Sequence, residues 1–81
     1  MDHNRLRWAA RRGMLELDLL LTGFVERGYA AAGPENQARF ERLLRCEDQD
    51  LFAWLLGRTE PPDPDLKAIV ALVQDVARAA P

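Results

Sequence analysis

The sequence predicts an all-α fold, one compact domain over residues 1–81 built as a bundle of about five short helices. Three observations predict it. Apolar residues recur at i, i+3, i+4 spacing in successive segments. No stretch shows the strict alternation that a half-buried strand needs. The breaks between segments carry glycine or proline, which interrupt helices. An 81-residue chain has room for one domain, and at 48% hydrophobic residues it can supply a core. The core must be dense, because a domain this small buries only about 60% of its unfolded surface.

The first helix is expected over Asn4 to Arg12, with Leu6, Ala9 and Ala10 on one face. Trp8 falls on another face. It either seals the edge of the core or stacks under the guanidinium of Arg12, four residues on, for roughly 0.5–1 kcal/mol if exposed. Gly13 is the joint, since inside a continuous helix it would cost about 1 kcal/mol relative to alanine. The second helix runs from Met14 to about Tyr29 and carries the stripe Leu17, Leu20, Leu21, Phe24 and Val25. Glu16 and Asp18 lie off that stripe, so both are expected within reach of solvent or a partner. Gly23 within the helix marks a kink or a close helix contact.

Gly28 to Gly33 reads as a small-residue loop, and Pro34 fits the first position of a third helix with Glu35 in its first turn. Ala38, Phe40, Leu43 and Leu44 form the apolar side of that helix. Asp48 is the expected N-cap of a fourth helix, Gln49 to about Gly57, which is nearly apolar all round. Arg58 to Pro64 is the one linker-like piece. Asp63 before Pro64 opens a fifth helix, in which Leu66, Ile69, Val70, Val73, Val76 and Ala77 keep the spacing to the end.

Residue types exclude most chemistries. There is no serine, so a Ser-His-Asp arrangement is impossible. One histidine, His3, and one cysteine, Cys46, leave no zinc spacing. No glycine-rich phosphate loop is present. Glu16 and Asp18 are two residues apart and diverge on a helix, so they make a poor acid–base pair. Catalysis by this chain is therefore not expected. A single cysteine fits a reducing compartment, no signal-peptide pattern opens the chain, and Leu19-Leu20-Leu21 is far short of the ~20 residues of a membrane span. A cytoplasmic protein without membrane insertion is expected.

Charge is unevenly placed. The net charge is −2, yet four arginines against Asp2 give +3 through Arg12, while eight acids against four arginines give −4 from Pro34 to Asp65. That polarity suits a partner surface of both signs better than a nucleic acid, which would call for a broad basic face. Charge, backbone freedom and an apolar run meet at one place, Arg11-Arg12-Gly13-Met14-Leu15-Glu16-Leu17-Asp18. One reading is a plain interhelix turn, with the arginines serving the C-terminal dipole of the first helix. The other is a contact corner, in which Gly13 leaves room for a partner's backbone and the charges point outward, with Trp8, Arg11, Arg12, Glu16 and Asp18 as the partner-binding side chains. Arg12 and Glu16 are four apart, which permits an ion pair if the helices run nearly continuously. An exposed pair is worth under ~1 kcal/mol, so recognition explains it better than stability.

The segment Arg12-Gly13-x-x-Glu16, within Trp8-Ala-Ala-Arg-Arg-Gly-Met-Leu-Glu-Leu-Asp18, resembles the signature of the SdhE family, the FAD assembly factors of succinate dehydrogenase, whose mitochondrial members are called succinate dehydrogenase assembly factor 2. Phe24, Phe40 with Leu43-Leu44, Asp50-Leu51 and Trp54-Leu55 fit the same pattern, and the likeness spans roughly residues 5 to 77. Ala9-Ala10 departs from it, since relatives often carry a cysteine before the arginines. The resemblance implies a helical bundle that binds the flavoprotein subunit of succinate dehydrogenase or fumarate reductase and promotes its covalent flavinylation. It implies that FAD is attached to a histidine of the partner and that no cofactor is held stably by this chain, a monomer when free. The competing reading is an antitoxin-like or general helical protein-interaction module.

Overall fold

The computed structural model describes residues 2–80; Met1 and Pro81, the two ends of the expected 1–81 domain, lie outside the described residues. Five helices follow one another among the described residues, with no strand: α1 His3–Ala9, α2 Leu15–Arg27, α3 Pro34–Leu43, α4 Asp48–Leu55 and α5 Pro64–Ala79. The all-α expectation is met. α2 is the central element, packing on α1, α4 and α5, while α3 packs on α5.

The α2 stripe explains this position. Leu17, Leu21, Phe24 and Val25 are buried and Leu20 is half-buried. Burial of each such side chain stabilises by roughly 1.5–3 kcal/mol. The Phe24 and Phe40 rings meet at 4.6 Å between centroids, which joins α2 to α3. Gly28, just after α2, is a close-packing glycine: a Cβ there would lie 2.9 Å from both the Phe24 ring and Val76.

Helix starts follow local chemistry. Asp63 accepts the Leu66 backbone N–H at 2.9 Å, and Pro64 fills the first position of α5, where no N–H is needed. Pro34 does the same for α3. The structure corrects four expectations. α1 stops at Ala9 instead of reaching Arg12, and α2 begins at Leu15, with Met14 in extended conformation as its N-cap. Glu47, not Asp48, occupies the N-cap of α4, because the Asp48 carboxylate is taken by Arg12. Ala38 is exposed, so the apolar side of α3 is narrower than its spacing suggests. At Gly23, which is buried within α2, the nearest atoms to a Cβ belong to the guanidinium of Arg27, on its own helix.

Tyr29 anchors the end of the α2–α3 connection. Its hydroxyl donates to a Glu41 carboxylate oxygen at 2.7 Å, and its ring meets Phe40 edge-on. Burial first, then this hydrogen bond to an anion, push its phenol from the usual 10 up to about 12. A raised pKa means that the contribution to stability is complete below pH 10 and is lost as pH rises through about 12. Tyr29 is the chain's one tyrosine, so an absorbance titration of phenolate reads it alone. A midpoint near 12 is expected; a midpoint near 10 with the helical signal intact would contradict this packing.

Candidate partner-binding site

Between α1 and α2 the chain makes a tight turn through Arg11, Arg12, Gly13 and Met14. Gly13 has φ of +83°, in the left-handed region that favours glycine. A Cβ built on it meets nothing within 4 Å, so conformation requires the glycine here and internal crowding does not. The space above Gly13 is open.

Asp18 fastens the turn from the first turns of α2. One carboxylate oxygen accepts the Arg12 backbone N–H at 2.6 Å and the other accepts that of Gly13 at 3.2 Å. Its position also suits the positive end of the helix dipole. Asp18 is half-buried, so it is less available to a partner than its off-stripe position suggests.

Arg12 fastens the turn from the other side. Its Nε donates to the Ala9 carbonyl at 2.9 Å, at the end of α1. One terminal nitrogen donates to the Asp48 carboxylate at 3.0 Å and to the Cys46 carbonyl at 3.4 Å, and the other donates to the Leu44 carbonyl. One guanidinium thus satisfies carbonyls left over at the ends of α1 and α3 and pairs with an acid in the first turn of α4. Its side chain is only 16% exposed. The expected Arg12–Glu16 pair is absent, because the helices are not continuous and the guanidinium turns inward. The stack of Trp8 on Arg12 is ruled out by the same turn inward. Trp8 does not seal the core either, being 82% exposed.

What faces outward is different. Arg11, Gly13 and Glu16 are exposed. Arg11 and Glu16 make no hydrogen bond or ion pair among the described residues. Besides Trp8, two more large apolar side chains stand in water, Leu15 at 74% and Leu19 at 63%. The sequence reading passed over this pair. The signal was there: Leu15 and Leu19 are one helical turn apart and both miss the buried stripe. Two open hollows flank the turn. One, about 540 Å³, lies between α1 and α2 and is lined by Arg7, Arg11, Asp18, Leu19, Glu26 and Arg27, among others. The second, about 470 Å³, lies around Arg12, Met14 and residues 46–49.

Among the described residues, no group of three or more His, Cys, Asp or Glu side chains is placed to hold a metal ion. Burial pushes the Cys46 thiol up, which disfavours the thiolate. No helix among the described residues is long and apolar enough to cross a membrane.

Comparison with known proteins bears on this surface. A family model described as the flavinator of succinate dehydrogenase matches residues 4–77. A protein of Pseudomonas aeruginosa named FAD assembly factor SdhE is 54% identical over 71 residues, covering 88% of this chain and 84% of that protein. A protein of the same name from Shewanella oneidensis is 49% identical over 81 residues, covering 100% and 96%. One from Idiomarina loihiensis is 48% identical over 69 residues, covering 85% and 77%.

Proposed function

The chain belongs to the family of succinate dehydrogenase flavinators, and from that premise we propose that it binds the flavoprotein subunit of succinate dehydrogenase and promotes covalent attachment of FAD to it. The fumarate reductase flavoprotein is a second partner of the same kind. The observation that carries the reading is the Gly13 turn, open above, held below by Arg12 and Asp18, and flanked by charged groups with no partner among the described residues.

The contact side chains are Trp8, Arg11 and Glu16, with Gly13 as the point of closest approach. Arg12 and Asp18 act through the shape they give the turn. The chain itself does no bond chemistry. It docks as a monomer and holds partner segments at a fixed angle, so that the partner's own accepting residue and its flavin stay aligned. Positioning alone can supply several kcal/mol of a barrier. Rigidity matters for this role, because a mobile turn would lose that alignment. The flavin belongs to the partner throughout, and the protein acts in the cytoplasm, where the subunit matures.

The test is in-gel fluorescence of the flavoprotein subunit in cells lacking this protein, complemented with wild type or Glu16→Ala. Wild type is expected to restore covalent flavin, and Glu16→Ala to restore about tenfold less or worse. Glu16 is exposed and unpaired, so its loss costs the fold no more than ~1 kcal/mol. Full flavinylation in the uncomplemented cells would overturn the function; full restoration by Glu16→Ala would remove that residue from the contact.

A further inference from the structure

We propose that the groove between α1 and α2 receives an acidic side chain of the flavoprotein partner, presented next to an apolar residue that covers Leu19. This rests on the function proposed above and extends the contact away from the Gly13 turn.

The acids and the arginines of the groove differ in whether they already have partners. Glu26 is held by Arg7, with Nε at 2.7 Å and a terminal nitrogen at 2.6 Å. Both oxygens of Asp18 accept backbone N–H groups of the turn. The two acids of the groove are therefore engaged. Arg11 and Arg27 also line it, and neither has a partner among the described residues. The groove thus keeps an uncompensated excess of positive charge.

The Arg27 guanidinium lies against Gly23. A Cβ at residue 23 would stand 2.6 Å from one terminal nitrogen of Arg27 and 3.3 Å from its guanidinium carbon. Arg27 thus folds back over its own helix and lines the groove while its side chain stays exposed and accessible to a partner. A guanidinium so placed offers a fork of donors that matches a carboxylate.

Leu19 lines the same groove and is 63% exposed, with Leu15, at 74%, one turn before it on the same face. A free inorganic anion would leave these leucines in water. A protein segment with an acid beside an apolar residue satisfies both halves of the groove. The groove is also continuous with the turn, since Asp18 belongs to both and Arg11 leads directly into it.

The experiment is an equilibrium titration of the purified protein against the apo flavoprotein subunit, at low and moderate salt. Four proteins are compared: wild type, Arg27→Glu, Arg27→Gln and Arg45→Glu. Arg45 is exposed and does not line the groove, so it controls for net charge. Arg27 sits in the last turn of α2, where a cation suits the dipole, so thermal midpoints are recorded for each. Arg27→Glu is expected to weaken binding about tenfold or more at low salt and to flatten its salt dependence. Arg27→Gln should weaken it less, and Arg45→Glu should stay within about twofold. Equal effects of Arg27→Glu and Arg45→Glu would overturn the groove while leaving the proposed function standing. So would inorganic phosphate that binds the groove without competing with the subunit. No binding by wild type would overturn both.

Discussion

Arginine in place of Gly13 is expected to abolish covalent flavin attachment to the partner subunit while the protein stays folded. The glycine sits at φ of +83°, and any L side chain there carries strain of about 1–2 kcal/mol. For a domain of this size that corresponds to a fall in thermal midpoint of roughly 4–16 °C. Among the described residues, nothing beyond the two chain neighbours lies within 4 Å of the new Cβ, so internal crowding adds nothing. Alanine at the same position carries the same strain without the bulk. Gly13→Ala and Gly13→Arg should therefore have similar thermal midpoints and very different flavinylation. Alanine keeps most of it, because a methyl group fills little of the open space; arginine occupies the place where the partner's backbone approaches. If alanine is as inactive as arginine, strain in the turn explains the loss and bulk does not.

Loss of the Arg12 side chain has the second largest expected effect, and its nature differs. Arg12→Ala removes donors to the carbonyls of Ala9, Leu44 and Cys46 and the ion pair with Asp48. Hydrogen bonds from a charged group are worth about 1.5–3 kcal/mol each, but Cys46 and Asp48 border an open hollow and regain water. A net loss of ~2–4 kcal/mol follows, a fall in midpoint of roughly 10–30 °C. Arg12→Lys should lie between wild type and alanine, since one ammonium lacks the planar fork that spans these acceptors. Flavinylation should fall with temperature in parallel with unfolding. A thermal midpoint within about 3 °C of wild type, far inside that range, together with lost flavinylation, would return Arg12 to the partner contact.

The helices were legible because their signals are local. Asp63 before Pro64 and Pro34 after Gly33 act on backbone groups within one turn, and both stand where the sequence places them. The α2 stripe follows from spacing alone. Arg12 was not legible, since the groups it holds at α3 and α4 are 32 to 36 residues away, and no periodicity carries that information. Asp48 was misplaced as a cap for the same reason. Asp18 reaches back five and six residues to a turn, outside the usual helical capping pattern. Leu15 and Leu19 differ: their spacing is visible in the sequence, but spacing alone does not tell an exposed apolar pair from the edge of the buried stripe. At the corner, the junction of charge, glycine and apolar run was readable, whereas the division between side chains that build the turn and those that face outward required the fold.

Titration of the purified apo flavoprotein subunit with wild type, Gly13→Ala and Gly13→Arg decides whether the Gly13 turn is the proposed point of contact. Tight binding is expected of wild type, with a loss of about tenfold or less for alanine and at least about a hundredfold for arginine, a difference of ~2.7 kcal/mol from wild type. Arginine binding as tightly as alanine, with both proteins folded at the temperature of the measurement, would place the contact elsewhere on the molecule.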